Sequence, residues 1–443
     1  SQKKVNDLQK ELNDIKASAA WKCTIPMRKV MKLAKKVRKK GVKGSASALL
    51  MRIKRTRKNI ASNDLLEVIN VNDSVLNRQK TAVFEKMPLI SIITPLFNTP
   101  EEFLVELLES VKNQTYRNWE LCLVNFSTQK FDVVDTICKK YCRDDARIVY
   151  RVAEKNEGIA DNTNLCISYA SGEYIALLDH DDVLHPSALY KVVEEINNSD
   201  ADFVYTDEVK FAGNLKNVYA PNFKPDFSRD ELQAHNFICH LNVYSRALYE
   251  KVGGYRREFD GSQDHDIVLR LTEKAKKIVH IPEILYYWRV HENSVAQNIS
   301  AKSYATTSGE AAVTEQLKRL GENITVKSVI NNIPIYRKYV SENKEMKIAL
   351  VLWGAKKKEE YADINEFIKT QDVISEVHYC GENLAAEEIN CIMETVETPW
   401  VWFIYGKGRI KSENLLNELS VYYERKDVAT IDMKIVAADG TLL

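Results

Sequence analysis

Three acids close an apolar run in this chain. In GEYIALLDHDDVLHP, residues 172–186, the stretch Tyr174–Leu178 gives way to Asp179, Asp181 and Asp182. Carboxylates crowded at the end of a buried strand repel one another and are costly to strip of water. A divalent cation removes that cost, and carboxylate oxygens suit Mg²⁺ or Mn²⁺. The blander alternative is a solvated turn in which Asp182 caps the helix beginning near Pro186. Two more acids, Asp264 and Asp266 in DGSQDHDIVLR, stand just before an apolar helix start, placed to take a proton or to cap that helix. Arg289 and His291 follow a strand in IPEILYYWRVHENS.

Such residues need a scaffold that holds them together. Leu89–Leu96, Trp119–Asn125, Ile148–Val152 and Tyr174–Leu178 read as buried strands. Apolar residues at helical spacing (Phe103, Leu104, Leu107, Leu108, Val111) predict a helix over 101–113, and further helices are expected over 162–171 and 187–197. Phe203–Thr206 is another short strand, followed by Asp207 and Glu208. Strands alternating with helices argue an α/β domain with a mainly parallel sheet, whose ligands sit at the carboxyl ends of the strands. Asn98, Asn125 and Asp179 all fall at such ends, which favours a nucleotide cleft over three unrelated turns.

The 443 residues suffice for two or three domains, and 45 % hydrophobic content, 28 % charged content and a net charge of +1 suit a folded globular chain. No apolar stretch is long enough to cross a bilayer. The chain opens on Ser1 and stops at Leu443, and reads as a piece of a longer polypeptide. Eight scattered cysteines suit a reducing cytosol, with Cys138 and Cys142 read as small buried residues rather than metal ligands. Val5, Leu8, Leu12, Ile15 and Ala19 follow a heptad pattern, the end of a coiled coil through which the chain would self-associate. Between Ala17 and Asn63 there is no acid, and Met27, Val30, Met31, Ala34 and Val37 alternate with lysines and Arg38 at helical spacing. That basic amphipathic helix suits an anionic membrane surface; a helix docked on its own protein, or a disordered basic linker, remains an equal alternative. Without aromatic residues among the charges, nucleic acid is not expected as a partner. The expected domains are a helical region 1–60, a linker 61–87, a catalytic domain 88–320, a linker 321–345 and a second module 346–443.

Seven segments in order resemble the family-2 glycosyltransferases of GT-A fold, and among them the bacterial enzymes that build rhamnose-rich polysaccharides and O-antigens. They are SIITPLFN, NEGIADNTN, GEYIALLDHDDVLHPSALYKVVEEI, ADFVYTDEVKF, FKPDFSRDELQAHNFICHLNVYSRALYEKVGGY, FDGSQDHDIVLRL and HIPEILYYWRVHENS, spanning about residues 88–297. ASAAWKCTIPMRKVMKLAKK resembles the helical segment that precedes such modules in multidomain relatives.

The resemblance implies transfer of a sugar, with inversion, from a nucleotide diphosphate (dTDP-rhamnose or a UDP-hexose) to a growing, lipid-linked saccharide on the cytoplasmic membrane face. It implies Mg²⁺ or Mn²⁺ on Asp181, reached from the far side by His291, with Asp179 at the ribose or beside the ion. Asp182 would support the loop, and Arg289 would orient the His291 loop or touch phosphate. Asp264 is the expected base by its register in the motif, with Asp266 its competitor; Gln263 stands where relatives commonly carry an acid. Thr94, Pro95, Phe97 and Asn98 would form the floor under the nucleotide base. Asn125 replaces the usual aspartate that reads the pyrimidine, and Asn156, Gly158 and Asn164 would pack by base and sugar. Asp207, Glu208, His235, Asn236 and His240 would border sugar and acceptor.

Residues 346–443 read as a shorter, degenerate copy of the same plan. In the register TPWVWFIYGKG on GEYIALLDHDD, Asp179 becomes Tyr405 and Asp181 becomes Lys407, so this copy is expected to be catalytically dead. A non-catalytic scaffold that binds nucleotide or carbohydrate is the alternative for the whole chain. A nucleotidyltransferase would want a glycine-rich, lysine-bearing phosphate loop after the first strand, and LFNTPEE has none.

Overall fold

The computed structural model describes residues 65–127, 132–291, 301–330, 333–340, 346–355, 357–383, 385–405, 410, 415–423 and 425–431. The expected coiled coil, the basic amphipathic helix and Lys407 lie outside the described residues. These form two compact units: residues up to Val313 with Ile330–Ile335, and Thr314–Val329 with Tyr336 onward. The division falls at other places than the expected boundaries at 320 and 346. No described helix is long and apolar enough to cross a membrane.

In the first unit β1 (Ile90–Leu96), β2 (Trp119–Asn125), β3 (Ile148–Val152) and β4 (Tyr174–Leu177) run parallel, side by side, in a nine-stranded sheet. Their apolar runs belong to strands covered on both faces, as β1 shows, buried along nearly its whole length. Beyond β4 come β5 (Val183–Leu184), β6 (Phe203–Ala212), β7 (Asn214–Asn222), β8 (Asn242–Ser245) and β9 (Ile278–Arg289). The order is β3-β2-β1-β4-β8-β6-β9-β5, with β7 paired to β6. The α/β architecture with a mainly parallel sheet is therefore as expected, with β8, β5 and β7 antiparallel to their neighbours. Helix Glu101–Lys112 buries Leu104, Leu107, Leu108 and Val111, and helix Ala188–Ser199 buries Leu189, Val192, Val193 and Ile196 in the same core. The chain runs from β1 outward to β2 and β3, then returns to place β4 on β1's other side. That reversal opens a crevice at the carboxyl ends of β1 and β4.

Residues 65–87, expected as linker, are part of this unit. A helix over 65–69 buries Leu65 and Ile69 against Val183, Val209, Phe211 and Tyr287. Helix Asp73–Thr81, capped by Asn72, buries Gln79, whose carbonyl accepts from Thr115 (3.0 Å) and Ser187 (2.8 Å). In Asp73–Thr81 only Val75 and Leu76 are apolar, too weak a pattern to mark a helix in a polar sequence. The strand expected over Phe203–Thr206 runs on to Ala212 and turns at Gly213, with φ +75°, into β7. The expected linker 321–345 also holds strands, β10 (Ile324–Ile330) and β11 (Ile333–Val340), paired to each other.

In the second unit, β12 (Ile348–Trp353) lies between β13 (Ile374–Tyr379) and β14 (Trp400–Tyr405), all parallel. Leu350, Leu352, Ala355, Tyr361, Ile364 and Ile404 form its core.

Candidate active site

The loop after β4 carries the acids into the crevice. Asp179 is half exposed, its side chain at 53 %. Asp181 is partly buried, and its Oδ2 lies 2.9 Å from His291 Nε2. Asp182 is fully enclosed, not solvated: its carboxylate accepts from the Tyr286 hydroxyl and from the Arg289 backbone N–H, both at 2.6 Å. Ser187, not Asp182, stands at the N-cap of the following helix. Burial first, then the charges of Asp181 and Asp179, raise the Asp182 carboxyl well above the usual range. Of loop support and helix capping, the contacts of Asp182 are those of a residue held inside the loop. Arg289 completes the support: it is buried, its Nε donates to the Asp181 carbonyl, its Nη2 pairs with Glu106, and its guanidinium lies over Phe103 and Phe211. Of its two expected roles, orienting the loop is the one its bonds fit, because its donors already have partners inside the protein.

Asp179, Asp182 and His240 each bring one ligand atom within 4.8 Å of the others. His240 Nε2 is 3.7 Å from Asp179 Oδ2, and its ring stacks on Tyr286 at 4.9 Å with Trp288 edge-on. Among the described residues the ligand atoms that gather are those of Asp179, Asp182 and His240, carboxylate oxygens with an imidazole of the kind that suits Mg²⁺ or Mn²⁺, whereas Asp181 and His291 pair with each other.

Asp264 and Asp266 both fall in the first turn of helix Gln263–Lys274, and they part company there. Asp266 is 1 % exposed and clamped by Arg256 and Arg270 (2.6 Å from Arg270 Nη2), so it is not a competing base. Arg256 comes from a preceding loop that the motif alone does not place. Asp264 accepts 2.8 Å from Gln263 Nε2. Burial first, then the Asp179 charge, push its carboxyl up to about 6, against the pull of His240 and the Gln263 amide. That shared field places it near the acid loop, and a carboxylate at that value is a serviceable base near neutral pH.

At the nucleotide end, Thr94 and Pro95 sit on β1, Thr94 with its hydroxyl buried and without a partner, and Phe97 is 44 % exposed just beyond. Asn98, at φ +50°, donates its backbone N–H to Ser127 (2.9 Å), while Thr99 Oγ1 lies 3.0 Å from His180 Nδ1, tying the two crevice loops together. Asn125 is turned inward: its amide donates to Tyr150 (3.0 Å) and its carbonyl accepts from Ser127 N–H (2.9 Å). Asn156 accepts from Gly158 N–H and Asn162 within its own turn. Asn164 does not face a nucleotide. Its carbonyl accepts from Tyr249 and Tyr255 N–H and its amide donates to Tyr255, all at 2.8 Å, joining its helix to the 249–255 loop.

The remaining expected residues separate likewise. Asp207 is buried, accepting from Lys224 N–H (2.9 Å) and His280 (2.8 Å). Glu208 is buried with Lys224 and accepts from the His240 N–H. Both are enclosed among protein partners: Glu208 braces the loop that carries His240, and Asp207 holds the Lys224 backbone. His235 pairs with Glu231 at the partly exposed end of helix Arg229–Ala234, and Asn236 accepts from Cys239 N–H in the turn that follows. Sequence reasoning missed Lys224, Tyr286 and Asp260. The Asp260 carboxylate accepts from Ala160 N–H (3.1 Å) and lies so near Gly158 that a Cβ there would meet it at 2.7 Å. Only glycine, at φ +108°, lets the loop before Asp264 close on the 156–160 turn. An acid in FDGS three residues after Arg257 gave no sign of that contact.

A family model described as glycosyl transferase family 2 matches residues 91–253, the segment from β1 through the acid loop to β8. The chain is 34 % identical over 254 residues to O-antigen biosynthesis protein RfbC of Myxococcus xanthus, covering 57 % of this chain and 20 % of that one. It is 31 % identical over 211 residues to the uncharacterized glycosyltransferase MJ1057 of Methanocaldococcus jannaschii, covering 46 % of this chain and 71 % of that one. The chain spans only 20 % and 27 % of the length of the first curated relatives it matches. Among solved structures, S. aureus TarS 1–349 in complex with UDP aligns at a TM-score of 0.40 and 19 % identity, covering 52 % of this chain and 71 % of that one. The matched segment is the one that builds the crevice and its acids, and by that match and its likeness to MJ1057 this chain belongs to glycosyl transferase family 2.

Proposed function

We propose that this chain is a metal-dependent, inverting glycosyltransferase. It moves a sugar from a nucleotide diphosphate, dTDP-rhamnose or a UDP-hexose, to a growing, lipid-linked cell-surface polysaccharide at an anionic membrane face. One observation carries the reading: within the segment matched by the family model, Asp179, Asp182 and His240 bring their ligand atoms within 4.8 Å of one another. A family relative named for O-antigen biosynthesis supports a polysaccharide acceptor.

When bound, Mg²⁺ or Mn²⁺ would neutralise the leaving diphosphate, and Asp179, Asp181 and His291, with His240 beside them, are the residues to hold it. Asp264 takes the proton of the acceptor hydroxyl as its oxygen bonds to the anomeric carbon and the bond to the diphosphate breaks. One displacement with one base inverts the anomeric centre. Asp182, Tyr286 and Arg289 keep the acid loop in place through this step. Thr94, Pro95, Phe97 and Asn98 line the side on which the nucleotide base lies.

The test is a turnover screen of nucleotide sugars with Mn²⁺ or Mg²⁺ and saccharide acceptors, wild type beside Asp181→Ala. Turnover of one donor, lost in the variant, supports the reading. Neither turnover nor metal-dependent nucleotide binding refutes it in favour of a scaffold.

A further inference from the structure

Lys224 is a lysine with its side chain wholly enclosed, beside Glu208 at 2 % exposure. A buried ammonium is costly unless its charge and its protons are all met. Here they are: Nζ donates to Glu208 Oε2 (3.2 Å), to the Ile238 carbonyl (2.5 Å) and to the His240 carbonyl. The same Glu208 oxygen accepts from the His240 backbone N–H at 3.1 Å, and the other accepts from Asn222. One ion pair thus grips His240 at both its N–H and its carbonyl. Lys224 is itself anchored, since its backbone N–H donates to Asp207. From this grip the imidazole reaches out, flat on Tyr286 and edge-on to Trp288, to stand 3.7 Å from Asp179. The Tyr286 hydroxyl in turn bonds to Asp182 and accepts from Asp179 N–H.

We propose that Lys224 is a positioning residue for transfer: with Glu208 it fixes the His240 backbone so that the imidazole stands against Asp179, at the end of the crevice that handles the diphosphate. An apolar pair of similar volume would hold the fold as well. It would not bond the two backbone groups that aim this ring. The inference rests on the functional reading of the Asp179 end.

The experiment uses the full chain and three variants: Lys224→Met with Glu208→Gln, which leaves no unpaired ion; His240→Ala; and all three changes together. The first readout needs no activity. Stacked on Tyr286 and Trp288, the His240 ring proton has a ring-current-shifted NMR signal, assigned by its loss in His240→Ala. Removing the ion pair moves that signal toward the exposed-histidine position and lowers kcat by at least about tenfold, with donor KM changed far less. Added to His240→Ala, the same two changes cause no further loss, because their effect passes through that ring. An unmoved signal, or an equal further loss in the His240→Ala background, overturns the proposal. If the paired variant does not fold, Lys224→Met alone, which removes the bond to the His240 carbonyl, reads the same signal, and an unmoved ring again overturns it. A wild type without turnover on any donor refutes the transferase reading, while the ring signal still judges the grip.

Discussion

The two sheets of this chain share a plan and differ at one end. In the first unit β1 lies between β2 and β4; in the second β12 lies between β13 and β14, all parallel. Ile90 pairs with Tyr174 and Ile348 with Trp400, so the two sheets repeat one register in which Trp400 answers to Tyr174. Even a detail is kept in exchanged form. Gly172 N–H donates to Ser91 Oγ (2.8 Å), and at the corresponding positions Ala349 N–H donates to Thr398 Oγ1 (2.9 Å). At the strand ends the likeness stops. After β4, half-exposed Asp179 opens onto the crevice. As the last residue of β14, Tyr405 takes that place, packs on Trp353 at 4.8 Å and lies so close to Gly354 that a Cβ there would meet its ring at 2.1 Å. A sheet transmits register; whether its crevice does chemistry is decided by the few residues just past the strands.

That contrast can be broken or sharpened by experiment. Asp264→Asn should have the largest effect, cutting turnover by about 10²- to 10⁴-fold while nucleotide-sugar binding, followed by calorimetry, persists. Near-normal turnover would remove the base and with it the main distinction of the first unit. Asp181→Ala should weaken Mn²⁺ affinity on the order of 10- to 100-fold in a direct titration; unchanged affinity would break the ligand assignment. A pH profile comes next. Asp264 must be ionised to take a proton, and its carboxyl titrates at about 6, so kcat should fall as pH drops through that value and hold above it. A rate still flat at pH 5 would place the base elsewhere. Gly354→Ala, at φ +95° and facing the Tyr405 ring, should cost the second unit about 1–3 kcal/mol, seen as faster hydrogen exchange in β12 and β14. Unaltered exchange would mean the ring does not press on that position. The smallest effect is expected from Tyr405→Asp, which restores an acid at the position of Asp179. Mn²⁺ stoichiometry should not change, because a single carboxylate makes no site, and a second equivalent of bound Mn²⁺ would show that one acid suffices to make a cation site in the second unit.

Much of the scaffold was legible because its signals are local. β2 and β3 match their predicted spans, and β1 and β4 differ from theirs by one residue, since strands buried on both faces are written as apolar runs with polar ends. The acid loop was legible for the same reason: three carboxylates in four residues after such a run have few peaceful explanations. The helices over 65–81 were not, because what buries Gln79 is Thr115 and Ser187, residues far along the chain.

By itself, then, the sequence determined the strands, their order of appearance, the family and the place where the acids gather, all properties of neighbours along the chain. Which acids remain open to chemistry was decided only in three dimensions. Asp266 is claimed by Arg256 and Arg270, Glu208 by Lys224, and Asp207 by His280, whereas Asp179 keeps its face to solvent. A carboxylate's type is fixed by its codon, but its charge, its partners and its freedom depend on which cations and donors the fold carries to it, and on how much water the fold leaves behind.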